Sequence, residues 1–115
     1  MIKRAGTINS EVRPNMLGGK GEVKITHLLE GPEFQGKGRL FSHSVLKPGC
    51  SIGSHQHKGD IEAYYVLKGE PTYYDNGEKT ILKPGDLTYT DNQQSHSIEN
   101  ESTEDVELIA LILFA

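Results

Sequence analysis

Gly49-Cys50-Ser51-Ile52-Gly53-Ser54-His55-Gln56-His57-Lys58-Gly59-Asp60-Ile61-Glu62-Ala63-Tyr64-Tyr65-Val66-Leu67-Lys68-Gly69 decides how the rest of the chain is read. Glycine stands at both ends. His55 and His57 are two residues apart, so on an extended segment they share a face and both reach one ion. Lys58-Gly59-Asp60 supplies turn chemistry, after which Glu62 brings a carboxylate back from the next strand. Far along the chain, His96 opens another β-type run and offers a third imidazole. A lone His-x-His is more often a surface or hydrogen-bonded pair than a site; the carboxylate across a glycine turn and the surrounding glycines change that balance. Three neutral imidazoles and one carboxylate form a mixed N/O donor set, suited to Mn, Fe, Co, Ni, Cu or Zn and poorly suited to Ca or Mg. An octahedral ion held by four protein donors keeps two adjacent positions for substrate, water or dioxygen, which points to catalysis rather than to a structural metal.

Outward from this stretch, 13 Gly and 5 Pro break the chain into short pieces. β-type runs lie at residues 21–26, 39–46, 63–67, 72–74, 80–82, 87–90, 96–98 and 106–114. Val23 and Ile25 alternate with Glu22, Lys24 and Thr26, a period of two. Asp75-Asn76-Gly77 sits between two runs and predicts a type I′ hairpin, because Asn and Gly accept positive φ. Leu46-Lys47-Pro48-Gly49 recurs as Leu82-Lys83-Pro84-Gly85, as two matched corners of one sheet protein would. Many short strands with frequent turns predict an all-β sandwich or barrel. Residues 1–20 read as an irregular polar arm, and residues 31–38 as a connector. The last run is apolar at both parities: Leu108, Ala110 and Ile112, but also Ile109, Leu111 and Leu113. Such a strand needs cover on both faces. The outer cover is either the N-terminal segment or another subunit, and a homodimer is expected.

Composition narrows the classes. The chain has 115 residues, 12.7 kDa, 12 basic and 16 acidic side chains and a net charge of −4. That length fits one domain over residues 1–115, burying roughly two-thirds of its unfolded surface. The acidic balance argues against nucleic acid as a partner, which requires clustered Lys and Arg. The single cysteine, Cys50, forms no intrachain disulfide, so a reducing, cytoplasmic compartment is expected. Residues 1–6 carry no apolar signal core. The longest apolar run, residues 108–115, is too short to span a bilayer as a helix, so no membrane partner is expected.

The frame Gly49, five residues, His55, one residue, His57, four residues, Glu62, six residues, Gly69 resembles the first motif of the cupin family at every defined position. A second cupin motif begins at Gly85. His96 and Asn100 fall in its register, while Asp91-Asn92-Gln93 stands where the family has Pro-x-Gly. Asp and Asn tolerate tight turns, so the loop is expected to survive this departure. The likeness runs from Gly49 to Asn100, a little under half the chain, with core motifs at 49–69 and 85–100. It implies a double-stranded β-helix, a small jelly-roll barrel, with His55, His57, Glu62 and His96 as ligands of one divalent transition metal. Mn is favoured, and Fe, Ni, Zn and Co are open. Gly18-Gly19-Lys20-Gly21-Glu22 adds a looser similarity to small oxalate-decarboxylase-like cupins.

What the resemblance implies for function is a small metalloenzyme acting on a small carboxylate bound at the open metal positions, a lyase or decarboxylase or an oxidoreductase. No proton donor is identified for decarboxylation: Glu62 is used as a ligand, Asp60 falls in a turn, and Glu99 has the opposite parity to His96. The alternatives are a metal-dependent module that binds an acid or sugar without turnover, a dioxygenase, a sugar-phosphate isomerase using Lys58 or Lys68, and a structural protein like the storage cupins. Tyr64 shares strand parity with Glu62, so if Glu62 faces the metal Tyr64 points inward too, where a phenol orients substrate or donates a proton; the plainer reading makes Tyr64, like Tyr65, Tyr73, Tyr74 and Tyr89, a sheet and core packing residue. One reading of His43 places it behind the ligands; the plainer reading makes His27 and His43 structural. Gly31 to Lys37 fits a phosphate-loop pattern, but Gly38 replaces the required Ser or Thr, Pro32 interrupts it, and nucleotide binding is set aside.

Overall fold

The computed structural model describes all 115 residues. Ten strands follow one another: β1 (Ser10–Pro14), β2 (Glu22–Leu29), β3 (Gly38–Leu46), β4 (Ser51–Gln56), β5 (Asp60–Lys68), β6 (Thr72–Asp75), β7 (Glu78–Ile81), β8 (Leu87–Thr90), β9 (Ser95–Glu99) and β10 (Val106–Phe114). They form two antiparallel sheets, a six-stranded one in the order β1-β2-β3-β10-β5-β8 and a four-stranded one in the order β4-β9-β6-β7. This is the jelly-roll architecture expected from the sequence. Between the sheets lies a core that includes Val23, Ile25, Leu46, Ile52, Val66, Ile98, Val106 and Leu108, all nearly inaccessible to solvent. Each such side chain contributes about 1.5–3 kcal/mol by leaving water.

The turn signals act as read. Asp75 pairs with Glu78 across a two-residue loop, with Asn76 at φ 49° and Gly77 at φ 87°, the conformation of a type I′ hairpin. Both Lys-Pro-Gly corners close in the same way. Cys50 N–H donates to Lys47 O at 3.0 Å and Asp86 N–H to Lys83 O at 2.9 Å, with Gly49 and Gly85 at φ 83° and 91°. Left-handed backbone explains glycine at both corners, since a Cβ there would meet no neighbour.

Two strands were not expected. β1 lies inside the arm read as irregular; all five of its residues are exposed, and it forms by pairing with β2, Val12 opposite Lys24. Pro14 is tolerated because β1 is an edge strand. β4 has one buried apolar residue, Ile52, and owes its conformation to β9. The connector at 31–38 contains a 3-10 turn, Gly31–Phe34, that seats Phe34 in the interior and leads into β3 rather than into a helix.

The C-terminal strand is central, between β3 and β5. Val106, Leu108, Ala110 and Ile112 are buried on its inner face. The outer face is not covered by β1, which lies in the same sheet beyond β2 and β3. Across that face Leu87, Tyr65, Ile109 and His43 lie abreast, as do Tyr89, Ala63, Leu111 and Phe41. Tyr65 is 44% exposed, Leu87 64% and Tyr89 54%, so an apolar surface spans four strands. No helix is long and apolar enough to cross a membrane.

Candidate metal centre

β4 sets the site through a slip in register. Ile52 pairs with Ile98 and His55 with His96, so Gly53 and Ser54 together stand opposite Ser97. Strict alternation from buried Ile52 would turn His55 and His57 outward. The extra residue resets the parity and sends them inward, as β-bulges next to sites do. Gly53 is required there because a Cβ would be driven into the Leu17 carbonyl oxygen, where the turn Met16–Gly18 packs against β4. β5 brings Glu62 inward beside Tyr64 and Val66, and β9 brings His96 inward beside Ile98.

His55, His57, Glu62 and His96 therefore converge, their donor atoms all within 4.8 Å of one another. His57 Nε2 lies 3.0 Å and His55 Nε2 2.9 Å from His96 Nε2. Glu62 Oε1 lies 3.0 Å from His57 Nε2, 2.9 Å from His96 Nε2 and 3.7 Å from His55 Nε2. With metal–nitrogen bonds of about 2.1 Å, neighbouring donors of an octahedron are about 3.0 Å apart and those of a tetrahedron about 3.4 Å. Most of these edges match the octahedral spacing.

The far nitrogen of each ring is committed elsewhere. His55 Nδ1 donates to the Gly53 carbonyl at 2.7 Å, and His57 Nδ1 donates to Asp60 Oδ1 at 2.8 Å. His96 Nδ1 meets the hydroxyls of Tyr73 at 2.8 Å and Thr90 at 2.9 Å. A carbonyl and a carboxylate only accept, so the Nδ1 of His55 and of His57 carries a proton and, in the neutral ring, Nε2 presents its lone pair to the cluster. Hydrogen-bonded imidazoles of this kind are what metal ligation requires, and the donor set fits a divalent transition metal. Arg39 Nε completes the chain of contacts by donating to Asp60 Oδ2 at 2.9 Å.

Electrostatics agree with a cation site. Burial pushes the Glu62 carboxyl up, but the His55, His57 and His96 rings beside it, which donate to it when protonated, outweigh burial and hold the group well below the usual carboxylate range. The hydrogen bond to Glu62, with help from Asp60, raises the His57 imidazole against the effect of burial. Burial lowers His96, more than Glu62 can restore. Burial and the charge of Glu62 also push the Tyr64 phenol well up, so it stays protonated. In metal-free protein, the depressed Glu62 contributes stability that is present in full above about pH 4.5 and is lost as pH falls below that value. His57 acts in the opposite sense: its contribution is complete below about pH 6.5 and declines as pH rises through its raised value. Urea unfolding of metal-free wild type should therefore weaken more steeply on acidification below pH 4.5 than that of Glu62→Gln. Parallel acid limbs would assign the loss to other carboxylates.

Tyr64 points inward as expected, 2% exposed, its ring stacked on His96 with centroids 5.0 Å apart and planes 15° apart. His43 does not stand behind the ligands: it lies on the other face of β3 from buried Ser42 and Ser44, and its Nε2 meets Glu107 Oε1 at 2.9 Å. Asp60 is not a turn residue but the first residue of β5, 5% exposed and bonded on both oxygens. Asp60, Thr90, Tyr73 and Arg39 were missed as partners of the site; the one signal for Asp60 was its position three residues after His57. Asn100 is a structural clamp, donating to Leu46 O at 2.8 Å and Glu104 O at 2.7 Å. The departing loop survives. Gln93 takes the position of the motif's glycine at φ 76°, and its N–H donates to His57 O at 2.7 Å.

The site opens into a cup of about 380 Å³ lined by residues that include Arg13, Met16, Ile25, His27, Arg39 and Tyr64. Among proteins of known sequence, the Cupin domain family matches residues 42–112. An oxalate-binding protein from Thermotoga maritima is 45% identical over 113 residues, covering 98% of this chain and 93% of that protein. The crystal structure of a predicted oxalate decarboxylase from Thermotoga maritima superposes with a TM-score of 0.95 at 44% identity, over 100% of both chains. The polyketide cyclase RemF from Streptomyces resistomycificus, at 18% identity, has a TM-score of 0.78 over 99% of this chain and 80% of its own, a likeness of fold alone.

Proposed function

The chain belongs to the cupin family, and from that premise we propose that it acts as a metal-dependent receptor for a small carboxylate, oxalate being the first candidate. One observation carries this reading: four donors converge at the base of a cup whose carboxylates are both committed, Glu62 to the three imidazoles and Asp60 to His57 and Arg39. The charged side chains lining the cup are Arg13, Arg39 and Lys58 against Asp60 and Glu62, so cations outnumber carboxylates three to two. His55, His57, Glu62 and His96 would hold the ion, manganese by our proposal, with iron, nickel, zinc and cobalt accepted by the same donors. When bound, the ion would supply Lewis acidity toward the carboxylate oxygens of the ligand. The chain's own residues do the rest. Asp60, Thr90 and Tyr73 orient the rings, Tyr64 covers His96, and the apolar side chains of Met16, Ile25 and Ile52 exclude water from one wall of the cup.

Turnover of the acid is the second reading. The observation in its favour is Tyr64, a buried phenol that lines the cup and holds its proton. Against it stands the lack of any uncommitted carboxyl in the cup to serve as proton donor. We further propose that residues 1–115 form one domain, that the protein is cytoplasmic, on the basis of its lone cysteine, and that it is a homodimer in which the apolar face carrying Tyr65, Leu87, Tyr89, Ile109 and Leu111 is covered by a second copy.

Metal-stripped protein reloaded with Mn(II) should bind oxalate one to one in calorimetry, and the stripped form should not. Release of CO₂ and formate on incubation would establish turnover. Failure of every metal-loaded form to bind oxalate, malonate or formate would overturn the carboxylate reading.

A further inference from the structure

Arg39 lies where alternation would not put it. On β3 the inward residues are Leu40, Ser42, Ser44 and Leu46, so Arg39 belongs by parity with Phe41 and His43 on the outer face. Instead, the pairing of β3 with β10 slips at this point. Leu40 pairs with Ile112 and Gly38 with Leu113, leaving Arg39 as the extra residue of a bulge. The close approach is specific to Gly38, whose Cβ would lie 2.7 Å from the Ile112 carbonyl oxygen. A bulge re-aims the side chain it carries, and here Arg39 lines the cup.

The guanidinium is held but not used up. Only its Nε makes a bond, to Asp60 Oδ2 at 2.9 Å, and Asp60 is itself anchored through Oδ1 to His57 Nδ1 at 2.8 Å. The side chain is 53% exposed and its Nη groups have no partner in the protein. Planar Nη–H donors are matched to a carboxylate, and the anchor at Nε removes part of the ordering cost of binding one. Arg39 shares the lining of the cup with His55, His57 and Glu62, and a chain of bonds through the Asp60 carboxylate ties it to the His57 ring. Of the other cations in the lining, Arg13 has its Nε on Glu11 at the exposed edge strand, and Lys58 lies on the loop between β4 and β5.

We propose that Arg39 receives the second carboxylate of a dianionic ligand whose first carboxylate occupies the metal centre, so that it selects short dicarboxylates over monocarboxylates. This rests on the carboxylate reading above and names the class of acid that the site takes.

The test is a calorimetric comparison of oxalate and formate on Mn-loaded wild type, Arg39→Gln and Arg39→Lys, with bound manganese quantified in each sample. Arg39→Gln should bind oxalate about 10-fold or more weakly, as expected for loss of charge-assisted hydrogen bonds. Its formate affinity and manganese content should stay at the wild-type level. Arg39→Lys should recover part of the oxalate affinity, since charge returns without the planar fork. Equal weakening of oxalate and formate, or loss of manganese, would reduce Arg39 to a structural support for Asp60 and overturn the proposal. Undiminished oxalate binding by Arg39→Gln would overturn it while leaving the carboxylate reading intact. Wild type that binds neither anion would sink that reading and this inference together.

Discussion

His55→Ala is expected to weaken divalent-metal binding by more than 100-fold while the far-UV circular dichroism stays that of wild type. Of the four converging residues, His55 is the one whose loss disturbs least else. Its side chain is 16% exposed and its only other tie is the 2.7 Å bond to the Gly53 carbonyl, which water can replace. His57 and His96 are buried, and removing His57 would leave Asp60 Oδ1 without its partner while removing His96 would leave a gap beneath Tyr64. Loss of an outer partner of a metal ligand already costs about 10- to 100-fold in affinity, so loss of a ligand itself should exceed that. Competition against a chromogenic chelator reads the affinity directly. Thermal melts give an independent reading. At metal concentrations near 100 times the dissociation constant, binding stabilises wild type by about 2.7 kcal/mol, a shift of roughly 10 °C or more for a domain of this size. The variant should show little of that shift. Wild-type affinity in His55→Ala would remove this residue from the ligand set.

Gly53→Ala should destabilise the fold more than any surface substitution and weaken metal binding as well. The new methyl group would meet the Leu17 carbonyl oxygen, a backbone atom that cannot rotate aside. Relief requires that the turn Met16–Gly18 lift off β4 or that the slip between Ile52 and His55 be lost. The first exposes an edge of the four-stranded sheet; the second turns His55 and His57 away from Glu62. Overpacking of this kind costs about 1–3 kcal/mol, and a clash with backbone belongs at the upper end of that range. Ser54→Ala, at an exposed neighbour on the same strand, should change stability by about 0.5 kcal/mol or less. Urea unfolding of both variants provides the comparison. Equal stabilities would mean that the contact with Leu17 is easily relaxed.

Much of the barrel is legible in the chain because the responsible interactions are local. Proline and glycine close the two Lys-Pro-Gly corners, Asn76-Gly77 folds its hairpin, and period-two alternation marks β2 and the inward side of β5. β1 and β4 were illegible for a common reason. Ser-Glu-Val-Arg-Pro and Ser-Ile-Gly-Ser-His-Gln carry too little apolar pattern to declare themselves, and each becomes a strand only when a distant partner supplies the hydrogen bonds. Propensity is weak there and pairing prevails.

The sequence by itself determined the chemistry on offer: three imidazoles and a carboxylate at fixed spacing within a glycine frame, and a strand, residues 106–114, too apolar for one face to absorb. Only the tertiary structure decided which way those groups point. The slip at Gly53 and Ser54 turns His55 and His57 inward, and the slip at Arg39 brings a guanidinium into the cup from a position that alternation assigns to the outer face. The physical reason is that a side chain's direction on a strand depends on every residue paired before it. One unpaired residue reverses that direction, and where it falls is set by contacts across the sheet rather than by the residues alongside.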